Sequence, residues 1–592
     1  MKRNLFSLLS LLVLASLVLA ACGSAEATTA PEATEAATEV AATEAATEAP
    51  AAEATPTPIP DVSIATFDGT SLAVPAEECN GDYIGLIQSV VAVDASTVVF
   101  TLCRPDPAFL SKIAFSPFAI YPSEWLEATA GDTTTTRTSE GLEKPVGTGP
   151  YMVSEWARGD SVTFVANPDY WGEQPAASTL VMRWSAESAA RLLELQSGTV
   201  DGIDNLGPDD FAVVEADSSL QVAKRPALNT FYIGMTNTFA PFDNQKVRQA
   251  IAMGIDRQRI VDTFYPAGSE VATHFTPCAI PNGCAGDAWY DFNVDAAKAL
   301  LAEAGFADGF STKLYYRDVV RGYLPQVGNV AQDIQAQLKE NLNIDAEIVV
   351  MESGAFIEAS SAGTLDGLYL LGWGADYPHI TNFLDYHFGA SNPQFGTQSD
   401  TYTDLLVQGA QIADPAEAEP IYAQANNAIK EYVPMIPVAH GGSGTAYRAD
   451  VTNPQASPLT NEQFAFSAPG DRDTFVWMQN AEPISMFCAD ESDGESLRAC
   501  DQVMEALYGY EINGTATEPI LAESCDPSED LTVWTCTLRQ GVKFHDGSDF
   551  DANDVVATFN MGLNIDSPTH VGNSNIWSYY DYLWGLMKKP GS

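Results

Sequence analysis

Short stretches of this chain alternate between apolar and polar residues, which is typical of half-buried β-strands. Residues 90–102 alternate on both sides of a turn at 94–96, and this pattern predicts a β-hairpin. Residues 532–538 are rich in β-branched and aromatic side chains and follow turn-forming residues, so they predict another strand. Asp551 directly precedes an apolar run and is expected to be the N-cap of a helix.

The middle of the chain combines helical periodicity with strands. Asn293 is expected to cap a helix over residues 294–304. Residues 313–316 and 346–350 are extended in character, and residues 327–342 between them have the period of a helix. This strand–helix–strand order predicts a crossover between parallel strands.

Composition limits the classes of function. The chain has 592 residues, enough for two or three lobes with their own cores. A net charge of −51 argues against nucleic acid as a partner and against a basic membrane-binding surface. The sequence has no GxSxG, SxxK or HExxH motif, so it does not predict an enzyme, a catalytic residue or a cofactor.

The N-terminal residues have the features of an export signal followed by a tether. Residues 1–22 begin with two basic residues, continue with an apolar run and end in Leu-Ala-Ala-Cys, which matches a lipoprotein cleavage box with Cys22 as the lipidated residue. An ordinary signal peptide with a chance cysteine is the alternative. Residues 23–60 repeat Ala, Thr, Glu and Pro, which predicts a disordered linker.

Eight further cysteines form neighbouring pairs along the chain. The pairs are Cys79 with Cys103, Cys278 with Cys284, Cys488 with Cys500, and Cys525 with Cys536. An even number of cysteines in an exported protein favours disulfides, and we predict this local pairing among many possible connectivities. A metal site is not predicted, because only His274 lies near a pair and a zinc site would lack a ligand.

One long motif carries a family resemblance. Residues 521–559 are LAESCDPSEDLTVWTCTLRQGVKFHDGSDFDANDVVATF. This stretch closely resembles the characteristic motif of the oligopeptide/dipeptide/nickel-binding family of ABC-importer substrate-binding proteins, solute-binding protein family 5. In that family the motif lies near the start of the mature protein, whereas here it lies near the end.

The other segments that resemble the family occur once each, in rotated order. They are VVAVDASTVVFTLCRPDPAFLS (90–111), KPVGTGPYMVSEW (144–156), NPDYWG (167–172), FYIGMTN (231–237), PFDNQKVRQAIAMGIDRQRIV (241–261), LLGWGADYP (370–378) and TFVWMQNAEPIS (474–485), the last resembling the family's first strand. A tandem duplication would repeat some of them, and a fragment would lack some. We therefore interpret the chain as a circular permutant, with the family's usual ends joined through residues 464–474 and the new ends in a small lobe.

The resemblance implies an α/β fold, a two-lobed periplasmic-binding-protein-like fold (type II, cluster C) with an extra small lobe. The implied divisions are 61–145 and 506–592 for the small lobe, 146–235 and 446–505 for the main lobe, and 236–445 for the large second lobe. It also implies hinge closure around a ligand, delivery to an ABC transporter permease and an extracytoplasmic location. We expect a monomer that is held at the membrane through its N-terminal lipid.

The candidate binding residues follow two predicted strands at the edge where such sheets bind ligands. Trp373 and Asp376 follow the buried residues 368–371. The segment LLGWGADYP ends at Pro378. In peptide-binding members of the family, the aspartate two residues before the corresponding proline pairs with the ligand's α-amino group, and Asp376 occupies that position. An indole such as that of Trp373 supports cations or flat ligands. The alternative is that Asp376 caps backbone amides.

Arg317 and Arg321 follow the strand over residues 313–316 and could hold a ligand carboxylate bidentately. Their alternative role is to brace the lobe or to remain solvated. The ligand expected first is a peptide. Oligosaccharide or chelated nickel are alternative ligands, and a sensor of the same fold or a hydrolase are alternative functions.

Overall fold

The structure is a computed structural model. It describes residues 71–73, 79, 83, 85–131, 136–318, 321–390 and 392–587. The predicted signal segment, Cys22 and the linker over 23–60 lie outside the described residues. No helix within those ranges combines the length and the apolar character needed to cross a bilayer.

The small lobe is organised by an antiparallel sheet, five-stranded in the part of the chain that is described. In spatial order its strands are Ser71–Ala73, Ile87–Asp94, Thr97–Leu102, Val533–Leu538 and Ala522–Pro527. The predicted hairpin is therefore confirmed, and Trp534 from the end of the chain lies opposite Phe100. Asp551 caps the helix Ala552–Leu563 as predicted, since its side chain accepts from the Asn553 amide.

Aromatic rings from both ends of the chain fill the core of the small lobe. Phe109 stacks on Trp534 with 4.8 Å between ring centroids and meets Trp584 edge-on. Phe100 meets Phe559 edge-on at 5.0 Å. All five side chains are buried, so neither sequence segment has a complete core without the other.

The main lobe contains a mixed sheet, seven-stranded among the described residues. In spatial order its strands are Tyr151–Ala157, Ser161–Ala166, Thr179–Trp184, Thr474–Gln479, Gly202–Ile203, Ser443–Arg448 and Leu220–Arg225. Thr474–Gln479 lies in the middle, parallel to both of its neighbours. Trp477 on this strand is fully buried, as expected for a central strand covered on both faces.

The large lobe contains a mixed sheet that is six-stranded in the described part. Its spatial order is Glu270–Val271, Met435–His440, Asn229–Met235, Leu368–Gly374, Ser311–Arg317 and Asp345–Met351. The predicted parallel crossover is confirmed, because Ser311–Arg317 and Asp345–Met351 are parallel and Val327–Leu342 connects them. Asn293 caps the helix Val294–Glu303 as predicted.

Further helices connect the strands. They are Phe109–Ile113, Ser123–Thr129, Ser139–Glu143, Ser188–Ser197, Asp210–Ala216, Gln245–Gly254, Arg257–Phe264, Ser353–Ser361, Ile380–Phe388, Asp400–Gly409, Pro415–Tyr432, Gly494–Cys500 and Ser578–Leu583.

Two predicted lobe boundaries are wrong by a few residues. Asn229–Met235 was assigned to the main lobe, but it pairs with Leu368–Gly374 and Met435–His440 in the large lobe. Ser443–Arg448 begins before the predicted boundary at 445 and pairs with Leu220–Arg225 in the main lobe. Backbone hydrogen-bond partners decide sheet membership, and the local pattern does not reveal them. The chain thus crosses between these lobes at residues 226–228 and 441–442.

The four predicted cysteine pairs are all disulfides in the structure: Cys79–Cys103, Cys278–Cys284, Cys488–Cys500 and Cys525–Cys536. His274 does lie close to one pair, with ligand atoms of His274, Cys278 and Cys284 within 4.8 Å of one another. The disulfide occupies both sulfurs, however, and a metal requires thiolates.

Candidate functional site

A cleft of about 850 Å³ lies where the large lobe faces the main lobe. Arg317, Arg321, Trp373 and Asp376, the four residues predicted from sequence, all line it. Two of the large-lobe strands, Ser311–Arg317 and Leu368–Gly374, are parallel and end at this edge. The structure therefore brings together side chains that lie about 50 residues apart in sequence, because parallel strands present their carboxyl ends at one edge.

Asp376 presents a half-buried carboxylate to the cleft. Its Oδ2 accepts a hydrogen bond from Asn382 Nδ2 at 3.0 Å. Burial raises the pKa of Asp376 to about 6, and the hydrogen bond from Asn382 only partly opposes this. Among the described residues no cation pairs with this carboxylate, so a cationic group of a ligand would supply the missing counter-charge.

The alternative role for Asp376, capping of backbone amides, has no counterpart in the hydrogen bonds of the described residues. The following helix, Ile380–Phe388, is instead capped by His379, whose Nδ1 accepts from the Thr381 amide at 3.3 Å. Asp376 uses its own amide to donate to Asn382 Oδ1. One side chain, that of Asn382, therefore holds the carboxylate in place. Its oxygens can accept further hydrogen bonds from a ligand in the cleft.

Trp373 forms the aromatic wall beside Asp376. Its Nε1 donates to Asn382 Oδ1 at 3.0 Å, so one buried asparagine orients both candidate residues. The indole stacks on Tyr386, with 4.4 Å between centroids, and meets His387 edge-on at 4.9 Å. This packing fixes the ring plane that a ligand would contact.

The two arginines lie at the end of the neighbouring strand. Arg317 is half-buried, and its Nη2 lies 3.4 Å from the Tyr323 hydroxyl. Arg321 is exposed in the turn that follows. The cleft thus carries two guanidinium groups as well as the carboxylate of Asp376, a charge set that suits a ligand with both an ammonium and a carboxylate.

A buried ionic network supports the cleft on the side of the main lobe. Arg225, which lines the cleft, pairs with Asp204 at 2.9 Å and with Glu462 at 2.5 Å. Arg498 pairs with the same two carboxylates at 2.9 and 2.7 Å. Burial opposes ionisation of Asp204, but the charges of Arg498 and Arg225 lower its pKa to about 2. Arg225 also donates to Ser443 Oγ, so it links the two segments where the chain crosses between lobes.

Sequence patterns did not identify this network or the aromatic residues around Trp373. Tyr386 and His387 lie in an apolar helix, where a core position is the expected assignment. Glu462 lies 237 residues beyond Arg225, and neither of them belongs to a recognisable motif.

Comparison with known proteins identifies the family. The family model "Bacterial extracellular solute-binding proteins, family 5 Middle" matches residues 62–395 and 516–576. Di/tripeptide-binding protein 3 of Pseudomonas aeruginosa (strain UCBPP-PA14) is 30% identical over 392 residues, which cover 64% of this chain and 71% of that protein. Heme-binding protein A of Haemophilus influenzae is 28% identical over 361 residues, 60% of this chain and 65% of that protein.

Solved structures agree with this assignment. HbpA2 from Haemophilus parasuis superposes with a TM-score of 0.59 at 30% identity, covering 63% of this chain and 74% of that one. The dipeptide binding protein from Pseudoalteromonas sp. SM9913 in complex with Met-Leu gives 0.51 at 27% identity, with 65% and 76% covered. The relatives are substrate-binding proteins and not enzymes, as the sequence predicts. This chain therefore belongs to the bacterial extracellular solute-binding proteins of family 5.

Proposed function

We propose that this protein captures a small peptide in the cleft between its main and large lobes and delivers it to an ABC transporter permease. The observation that carries the proposal is that the four sequence-predicted residues line one cleft, with an unneutralised carboxylate and two guanidinium groups. Relatives that are named as di/tripeptide-binding proteins support the same ligand class.

In the proposed complex, the ligand's α-ammonium pairs with Asp376 and its carboxylate pairs with Arg317 or Arg321. The ammonium would replace water at a partly desolvated carboxylate, where a charge-assisted hydrogen bond is strong. Trp373 would contact the peptide between these two ends. A peptide without a free amino terminus should bind weakly for the same reason.

The proposed mechanism is hinge closure. The segments at 226–228 and 441–442 are the crossings between the main and large lobes, and they border the cleft. Ligand favours the closed form only through contacts that are better in that form. The permease would then recognise the closed arrangement.

We further propose that Cys22 carries the lipid anchor and that residues 23–60 form the tether. Metabolic labelling with a fatty acid tests the anchor, because Cys22→Ser should abolish incorporation. Labelling that persists in the variant would contradict it.

We also propose that the chain is a circular permutant of its family. The order of the motifs carries this proposal, and three contacts support it. Thr474–Gln479 lies centrally in the main sheet, Val533–Leu538 pairs with Thr97–Leu102, and Met587 bridges to Asn564 beside the small-lobe sheet. The expected junction contains Gly470, which is exposed with a φ of +67° and suits a surface turn.

Identification of the natural ligand tests the peptide proposal. Mass spectrometry of small molecules released from the purified protein should find peptides, and calorimetry should measure their binding. Recovery of heme, an oligosaccharide or chelated nickel in their place would overturn the peptide assignment. Loss of peptide uptake on gene deletion supports transport, whereas unchanged uptake would favour the sensor.

A further inference from the structure

A second cavity of about 570 Å³ lies between the small lobe and the large lobe. Its walls come from Lys112 and Tyr582 of the small lobe and from the helices Ile380–Phe388 and Asp400–Gly409 of the large lobe. Tyr377 of the large lobe is buried within the hydrophobic core that the small and main lobes share. The lobes are thus in contact around this cavity, which is partly open to solvent.

Tyr386 lines both this cavity and the main cleft. Its ring stacks on Trp373 on one side and lies edge-on to Tyr582 at 5.8 Å on the other. Tyr386 is 38% exposed and Tyr582 is 42% exposed, so both rings present free surface. Three aromatic rings therefore lead from the main cleft to the second cavity. Such surfaces suit an alkyl chain that ends in a cation.

Asp385 is the unusual group in the second cavity. Its side chain is half-buried and lines the cavity, and its Oδ1 is inaccessible to solvent. This Oδ1 has no hydrogen-bond partner among the described residues. Burial raises the pKa of Asp385 to about 7, and the charge of Lys112 offsets only part of this effect. A cationic partner would stabilise the ionised form of a carboxyl group in this setting.

Two basic residues line the cavity: Arg104 is exposed, whereas Lys112, whose charge acts on Asp385, is already paired with another carboxylate. Lys112 Nζ forms an ion pair with Asp106 Oδ2 at 2.7 Å, and its ammonium lies over the rings of Tyr377 and Trp584. The Lys112–Asp106 ion pair is neutral as a whole. When Asp385 is ionised, its negative charge in the buried part of the cavity is therefore uncompensated. A cation of suitable size would compensate it.

We propose that the second cavity binds a primary ammonium or guanidinium group with Asp385 as its counter-ion. The cation belongs to the basic side chain of a peptide whose backbone occupies the main cleft, and its alkyl stem passes Tyr386. This inference rests on the proposed peptide function and adds a preference for basic side chains. A free diamine is the other source of the same chemistry.

Calorimetry with matched peptides tests the inference. Ala-Lys and Ala-norleucine have side chains of similar length that differ in the terminal ammonium, and cadaverine supplies the free cation. We expect Ala-Lys to bind at least tenfold more tightly than Ala-norleucine. Asp385→Asn should remove this difference and leave Ala-norleucine unchanged. Asp400→Asn, which removes an exposed charge from the next helix outside the cavity, should preserve it.

The outcomes separate the inference from the proposed function. If both peptides bind equally to the unsubstituted protein, the cavity does not select cations, although the peptide function stands. If neither peptide binds but cadaverine binds and Asp385→Asn abolishes this, the cavity assignment holds and the peptide function fails. If none of the three binds, both are overturned. We expect Asp385→Asn to be at least as thermally stable as the parent, because burial disfavours the ionised carboxylate and its Oδ1 has no hydrogen-bond partner among the described residues.

Discussion

Replacement of Asp376 by asparagine separates a binding role from a structural role. The amide is nearly isosteric and retains an acceptor oxygen, so the hydrogen bond from Asn382 Nδ2 is expected to persist. The change removes the negative charge that a ligand ammonium would meet. A charge-assisted hydrogen bond contributes about 1.5–3 kcal/mol, so the affinity for a peptide should fall about 10- to 150-fold.

The same substitution has a predictable effect on stability without ligand. The folded protein raises the pKa of Asp376 to about 6 from 3.8, so the folded state binds this proton more tightly than the unfolded state. The associated stability is present at acidic pH and is lost as the pH rises through about 6. At pH 7 the ionised, partly exposed Asp376 lowers the free energy of unfolding by at most ~3 kcal/mol. Asp376→Asn should therefore be at least as stable as the parent at pH 7.

Calorimetry and thermal denaturation together provide the assay. Peptide affinity of the parent should fall below pH 6, where Asp376 becomes protonated, and the affinity of Asp376→Asn should not show this step. Asp209→Asn is the matched control, because Asp209 is exposed and does not line the cleft. An unchanged affinity combined with a large loss of stability without ligand would refute the binding role and assign Asp376 to a structural one.

Three further predictions concern other parts of the molecule. Alanine at both Arg317 and Arg321 should weaken the binding of a peptide with a free carboxylate by about 1.5–3 kcal/mol in calorimetry, but should not affect binding of the same peptide as its C-terminal amide. Equal losses of affinity for both ligands would mean that the arginines brace the lobe. Removal of the buried Cys488–Cys500 disulfide, whose cysteines are 12 residues apart, should lower the unfolding free energy by about 3 kcal/mol in denaturant titration, and an unchanged value would contradict this. A rearranged chain that runs from 471 to 592 and then from 61 to 470 restores the family's motif order. It should fold with the same peptide affinity, measured by circular dichroism and calorimetry; a chain that stays unfolded would count against the permutation.

Local features of the fold were predictable because their causes lie within a few residues. The hairpin of Ile87–Asp94 and Thr97–Leu102 follows from alternation about a short turn. The caps at Asn293 and Asp551 follow from side chains that reach amides two or three residues ahead. Asp376 was predicted as a binding residue from the family resemblance, because the matching motif in peptide-binding members lies in the ligand cleft.

Only the tertiary structure decided which distant groups meet. Asn229–Met235 looks like any buried strand, and its place in the large lobe depends on hydrogen-bond partners more than 100 residues away. Asp385 has the same local sequence whether or not Lys112 is already paired with Asp106, yet that pairing determines whether its charge is compensated. Electrostatic free energy depends on distance and solvent exposure, and only the folded chain sets either one.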